Sequence, residues 1–382
     1  MKKILKLNSI SKLADKYFEG YEYSDTTVNP DGIMLRSFKM HDYEVGSDLV
    51  GIARAGAGVN NIPIPAMSDK GIVVFNTPGA NANAVKELVV AGLLLGSRKI
   101  YEGITWAQGL DKAEDVAKLV EKGKSQFVGP ELMGKTLGIL GLGAIGAKVA
   151  NVSLALGMEV CGYDPYLSVP AALRLDSKVE YLKTLDEVYA KADYVTIHMP
   201  YTPDTKHIIN KDSIAKMRDG VVIINCARGE LVNNDDIKEA LSTGKVSRYV
   251  TDFPCADLLG VEGIVTIPHL GASTPEAEDN CAVMAASQLT DLLENGNIVN
   301  SVNFPMVVAG KKTDNRITVA YKVDCFALTD LTSAIEADGA CVVAMASGTR
   351  GDLGYIIVDV CKALSETAIS KISEKALKVR VL

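Results

Sequence analysis

Three short clusters carry the residue types of a proton-coupled redox reaction: NCARGEL (225–231), TDFPCAD (251–257) and PHLGAST (268–274). Each follows an apolar run that reads as a buried strand, so each lies where open α/β sheets gather ligands, at the strands' carboxyl ends. Together they supply a cation, Arg228; a carboxylate, Asp252 or Asp257; and an imidazole, His269. Oxidising an alcohol to a ketone needs a base for the hydroxyl proton and a positive group for the oxygen that gathers charge. Histidine titrates nearest neutrality, and arginine offers a planar two-point grip on a carboxylate. The plainer readings are a satisfied loop histidine and a surface pair of Arg228 with Glu230. His198 reads as strand-end structure, His41 as a surface residue, and His207 has no partner near it in sequence.

A second constellation precedes these. In KTLGILGLGAIGAKVANVSLALGMEVCGYDP (135–165) an apolar strand runs into Gly141, Gly143 and Gly146 in G-x-G-x-x-G spacing, then a helix and a second strand ending at Asp164. The spacing has mechanical reasons: a tight turn, room for a pyrophosphate against the backbone, and close helix–strand packing. The helix N-terminus, beginning at Ala144 and Ile145, turns unpaired N–H groups toward the phosphates. Asp164 is placed to accept from both ribose hydroxyls of an adenosine and to repel a 2′-phosphate, so the expected cofactor is NAD rather than NADP.

The elements that must hold these residues follow from periodicity. Apolar runs bounded by turn residues alternate with helix-period segments to about residue 300, the pattern of parallel sheets covered by helices. Strands are expected at 4–7, 32–37, 49–54 and 72–76, then at 136–140, 159–164, 194–199, 221–226, 249–253 and 264–268. GKSQFVGPELMGK (123–135) separates the two groups and reads as a linker or domain edge. Beyond 313 the order becomes βαββαβ, ferredoxin-like, which reads as an appended module. The fold class is therefore α/β: two Rossmann-like doubly wound parallel-sheet domains and a C-terminal ferredoxin-like module.

Composition bounds the partners. With 40 Lys+Arg against 47 Asp+Glu the net charge is −7, which offers no global field for nucleic acid or an anionic membrane. Seven cysteines without a CxxC pair argue against a zinc site or a disulfide framework and for a reducing, cytoplasmic setting; no metal is expected. The start, MKKILKLNSI, is broken by Asn8, Ser9 and Lys12 before a signal-peptide core forms, and no run is long and apolar enough for a membrane span.

GLGAIG with its following acid, HMPYTPDT (198–205), INCARGELV (224–232) and TIPHLGASTPEAEDNC (266–281) resemble the D-isomer-specific 2-hydroxyacid dehydrogenases in order and spacing. RAGAGVNNIPI (54–64) and FNTPGANANAVKEL (75–88) resemble that family's phosphoglycerate dehydrogenase branch. The resemblance implies NAD-dependent oxidation of 3-phosphoglycerate, the first step of serine synthesis. It implies a substrate-binding domain at 1–92 plus 283–302, an NAD-binding domain at 93–282 and an ACT-like domain at 313–382. In its terms Arg228 holds the substrate carboxylate and His269 is the acid/base. Cys226, Ala227 and Asp252 face the nicotinamide, with Pro200, Thr205 and Gly271 also against the dinucleotide. Asp257 stands where the family carries the glutamate that pairs with the histidine. Arg36, Lys39, Arg54, Ala55, Gly56 and Ala57 bind the phosphorylated 2-hydroxy acid, and the assembly is a homodimer or homotetramer. The module's effector loop departs from serine-sensing members, with KVDCFAL and Cys341-Val342 where those carry His and Asn. Two other readings share these motifs: a glyoxylate or hydroxypyruvate reductase, which would not need Arg36 and Lys39, and an NAD-sensing co-repressor, for which Arg228 and His269 would be surplus.

Overall fold

The computed structural model describes residues 1–112 and 115–382. The chain divides into two compact units, one of residues 1–81 and 275–382, the other of residues 82–274. These boundaries differ from the expected 92/93 and 282/283. The helices Ala82–Ser97 and Pro275–Asn295 run unbroken through both of those points. The segment 123–135, read as a domain edge, lies inside the second unit.

In the first unit β1 (Lys3–Leu7), β2 (Glu22–Ser24), β3 (Gly32–Leu35), β4 (Gly51–Arg54) and β5 (Val73–Phe75) form a parallel sheet in the order β2-β1-β3-β4-β5. The second unit carries β6 (Thr136–Leu140), β7 (Glu159–Tyr163), β8 (Glu180–Tyr181), β9 (Tyr194–Ile197), β10 (Val221–Asn225), β11 (Val246–Thr251) and β12 (Ile264–Thr266). Their order, β12-β11-β10-β9-β6-β7-β8, is the doubly wound arrangement, with its reversal between β6 and β9. Strands β6, β9 and β10 are buried throughout because helices cover both faces, which is why they read as continuous apolar runs. Strands β2 and β8 have no such signature, since their residues are only partly buried or exposed at sheet edges.

The C-terminal segment folds as expected: β13 (Arg316–Lys322), helix Leu328–Ala337, β14 (Val342–Arg350), β15 (Leu353–Val360), helix Glu366–Ser373 and β16 (Lys378–Val381). Its antiparallel order β14-β15-β13-β16 is ferredoxin-like. It is more than an appendage. Ala320, Leu353, Tyr355 and Ile357 share one core with Leu289, Leu292 and Leu293 of helix Pro275–Asn295 and with Ile4, Ala53 and Val73 of the first sheet. That helix ends among cationic donors. Arg380 reaches the Leu292 and Leu293 carbonyls at 2.9 and 3.0 Å, Lys2 reaches Leu293 at 2.8 Å, and Arg316 reaches Asn295 at 2.9 Å. They satisfy carbonyls left open at a helix C-terminus and meet its negative dipole end.

Arg316, buried to 1% exposure, also grips Asp359 through two bonds of 2.7 and 2.9 Å. Those bonds hold the Asp359 carboxyl below its ordinary range. A depressed carboxyl pKa stabilises the fold above the unfolded value, roughly 3.9, and the contribution is lost as pH falls through the lower folded value. Asp359→Asn should cost about 3 kcal/mol at pH 7, the low end for breaking a buried pair because three carbonyls still hold Arg316. Denaturant titration at pH 7 and pH 3 should show the wild type and the variant converging in acid; equal stability at pH 7 would contradict the pairing.

Candidate active site

The loop after β6 is built around two glycines. Gly141 has φ +97°, and a Cβ there would stand 2.8 Å from the His198 carbonyl. A Cβ on Gly146 would lie 2.0 Å from the Gly141 carbonyl, so only glycine lets the helix Ala144–Ala155 pack onto the turn. Gly143, at the helix N-cap, has open space where its side chain would be. This cradle, with the first-turn N–H groups of Ala144 and Ile145, fits a dinucleotide's pyrophosphate.

Asp164 does work that its spacing did not disclose. One carboxylate oxygen accepts the Leu142 N–H and the other the Tyr166 N–H, both at 2.9 Å, so the residue expected to meet the ribose also ties down the glycine loop. In the loop after β9, Thr205 donates to the Pro200 carbonyl at 2.7 Å and accepts the Thr202 N–H at 2.7 Å, which makes it an internal staple. The His198 ring is buried, bonded through Nε2 to Thr196 at 3.0 Å, and burial pulls its pKa down to about 3. It stays neutral near pH 7.

Strand register assembles the chemical cluster. Asn225 on β10 pairs with Thr251 on β11, and Thr251 pairs with Thr266 on β12, so the three strand ends form one row. Arg228, Asp252 and His269 each follow within three residues of that row. Asn225, fully buried, holds the first turn: its amide donates to the Arg228 carbonyl at 2.8 Å and its oxygen accepts the Ala227 N–H at 3.1 Å. The Ala227 N–H is therefore held by Asn225 within the turn. The Arg228 guanidinium bonds the Ala227 carbonyl at 2.6 Å and makes no ion pair with Glu230 among the described residues. Cys226 is buried, and burial pushes its thiol up to about 12.

Asp252 is 1% exposed and accepts the Leu270 N–H at 2.7 Å and the Gly271 N–H at 2.8 Å. Burial raises its pKa, and those two amides with the nearby His269 work against the rise. His269, at the start of the hooked loop, is held at φ +57°, a left-handed geometry uncommon for a side chain, with its ring exposed and 4.9 Å from that of Phe253. Asp252 thus positions the loop, a role besides the contact with the nicotinamide that the resemblance implies. Asp257 does not join the cluster: it sits exposed in the turn Ala256–Leu258, makes no hydrogen bond or ion pair among the described residues, and acts electrostatically on Lys238. Asn225 and Phe253 were missed; the only signal was a polar residue closing an otherwise apolar strand.

In the other unit, Leu35 and Arg54 are register partners, so Arg36 and Arg54 stand at the ends of the neighbouring strands β3 and β4; both bear electrostatically on Cys281. Arg36 forms a 2.7 Å ion pair with Glu278. The Arg54 guanidinium lies over Gly56, where a Cβ would be 2.0 Å away. The turn is pinned by bonds from the Ala55 N–H to Leu35 (2.8 Å) and from Asn76 to the Ala57 carbonyl (2.7 Å). Lys39 is exposed and makes no polar contact among the described residues.

Because Asp164 both orders the loop and offers the ribose an acceptor, Asp164→Ala should weaken NADH binding by about tenfold or more, roughly 1.4 kcal/mol, and should narrow the preference over NADPH without tightening NADPH. Fluorescence titration with both dinucleotides measures this; an unchanged NADH affinity would remove Asp164 from the site.

Comparison with known proteins identifies the family. Residues 92–271 match the model described as D-isomer specific 2-hydroxyacid dehydrogenase, NAD binding domain. A D-3-phosphoglycerate dehydrogenase of Methanocaldococcus jannaschii is 38% identical over 269 residues, 68% of this chain and 49% of that protein. A hydroxypyruvate reductase of Thermotoga maritima is 41% identical over 244 residues, 62% of this chain and 74% of that one. The structure of a NAD+-bound 3-phosphoglycerate dehydrogenase from Entamoeba histolytica superposes with a TM-score of 0.61 at 27% identity, covering 79% of this chain and 98% of that one. The chain spans about half the length of the phosphoglycerate dehydrogenases it first matches. No helix among the described residues is long and apolar enough to cross a membrane. On its sequence and its fold alike, the chain belongs to the D-isomer specific 2-hydroxyacid dehydrogenase family.

Proposed function

We propose that this chain oxidises D-3-phosphoglycerate to 3-phosphohydroxypyruvate with NAD as the acceptor, the first step of serine synthesis. The observation that carries the reading is the pair Arg36 and Arg54 at neighbouring strand ends, a cationic feature that an unphosphorylated hydroxy acid would not require. Bound NAD supplies a nicotinamide ring that takes up the hydride from the carbinol carbon. Arg228 holds the substrate carboxylate by a two-point contact and stabilises charge on the reacting oxygen. His269 accepts the hydroxyl proton at its exposed ring. Arg54 and Arg36 bind the phosphate, with Lys39 as an outlying cation and the backbone of Ala55, Gly56 and Ala57 shaping the turn. The domain of residues 82–274 binds the cofactor, and the first sheet's domain binds the substrate. The seven free cysteines support a cytoplasmic setting, and the reading includes assembly as a homodimer or homotetramer.

A second reading, a hydroxypyruvate or glyoxylate reductase, draws support from the Arg36–Glu278 ion pair, which engages one of the two phosphate cations, and from the Thermotoga relative. The substrates separate them. Arg54→Ala should lower kcat/KM for D-3-phosphoglycerate by roughly 10- to 100-fold, the worth of one charge-assisted contact, while leaving D-glycerate within about threefold. Equal losses on both acids, measured by NADH absorbance, would favour the reductase; no NADH with any hydroxy acid would favour a binding protein.

A further inference from the structure

Cys341 and Cys361 lie opposite each other at the open end of the β14/β15 ladder. Val342 and Val360 are the adjoining register pair, and the Cys361 N–H donates to the Cys341 carbonyl at 3.0 Å. In an antiparallel hydrogen-bonded pair the second N–H would return to the opposite carbonyl. Here the Cys341 N–H donates instead to the Cys361 sulfur at 2.9 Å, and the two thiols also hydrogen-bond each other. Both residues are exposed and reduced. Opposed residues in such a ladder stand roughly 5.5 Å apart at Cα, inside the separation of about 4.4–6.8 Å that a disulfide bridges. The two other exposed cysteines, Cys255 and Cys325, have no second thiol in contact among the described residues.

We propose that Cys341 and Cys361 are a reversible thiol–disulfide site whose oxidant is a low-molecular-weight disulfide. Cys361 is the attacking sulfur. The Cys341 thiol and backbone N–H both donate to it and Lys362 adds positive charge, so its thiolate is favoured and its pKa lies below the ordinary value. The thiolate displaces one thiolate from the small disulfide, and a mixed disulfide forms on Cys361. Cys341 gives its proton to solvent and attacks the Cys361 sulfur, which releases the second small thiolate. Two protein thiols are oxidised, and one small disulfide is reduced to two thiols. The new bond joins the segment entering β14 to the one leaving β15, already tied by the bond from the Ser365 N–H to Asp338 at 3.0 Å.

Oxidised glutathione, added to the full chain under native conditions and followed by unreduced peptide mass spectrometry, tests this. The expected product is a peptide linked through Cys341 and Cys361, two hydrogens lighter than its reduced form and released by dithiothreitol. Cys341→Ser should stop at a single glutathione adduct on Cys361. Cys361→Ser should give no link and should label Cys341 several-fold more slowly. Glutathione adducts on the wild type without the link, or equal labelling rates in the two variants, would overturn the proposal.

Discussion

Two amide protons, from Leu270 and Gly271, converge on the carboxylate of Asp252, and the placing of His269 follows from them. A carboxylate with 1% exposure persists only where its lone pairs are met, and here backbone donors meet them. The loop that supplies those donors cannot shift without exposing the charge's cost, so the left-handed residue at its start is held as well. Asn225 does the same for the Arg228 turn with a neutral amide. Both holders are buried at strand ends, and both act on backbone, which leaves the His269 ring exposed.

The first unit is organised by a different constraint. Helix Pro275–Asn295 presents one apolar face to the first sheet and to the C-terminal sheet, and its last carbonyls are received by Lys2, Arg316 and Arg380 from both parts. These donors satisfy carbonyls that a helix C-terminus leaves without intrahelical partners. The ferredoxin-like module is thus part of the unit's core.

What could be read from the sequence was what is local. The glycine spacing, the helix behind it and the terminal Asp164 act within thirty-odd residues, and the strands buried on both faces announce themselves as apolar runs. Strands β2 and β8 were not legible because an edge strand of two or three half-exposed residues has no pattern to read. Composition marks 123–135 as a break, whereas packing draws helix Ala82–Ser97, which runs through the expected 92/93 boundary, onto β10 and β11. Partnerships across the chain were hidden for the same reason. Asp252 and Asp257 look interchangeable in TDFPCAD, and only the fold shows one buried under the histidine loop and the other in solvent. Likewise nothing in MLRSFKM announces that Arg36 meets Glu278.

Asp252 places His269, the proposed acid/base, through the backbone, and Asp257 lends it no side-chain carboxylate. The pH dependence of kcat/KM for Asp252→Asn and Asp257→Asn, set beside the wild type, tests it most directly. Asp257→Asn should overlay the wild-type profile while Asp252→Asn falls by at least about tenfold across the range, the worth of a hydrogen-bonded buried charge. A shifted profile for Asp257→Asn, with Asp252→Asn near wild type, would contradict it.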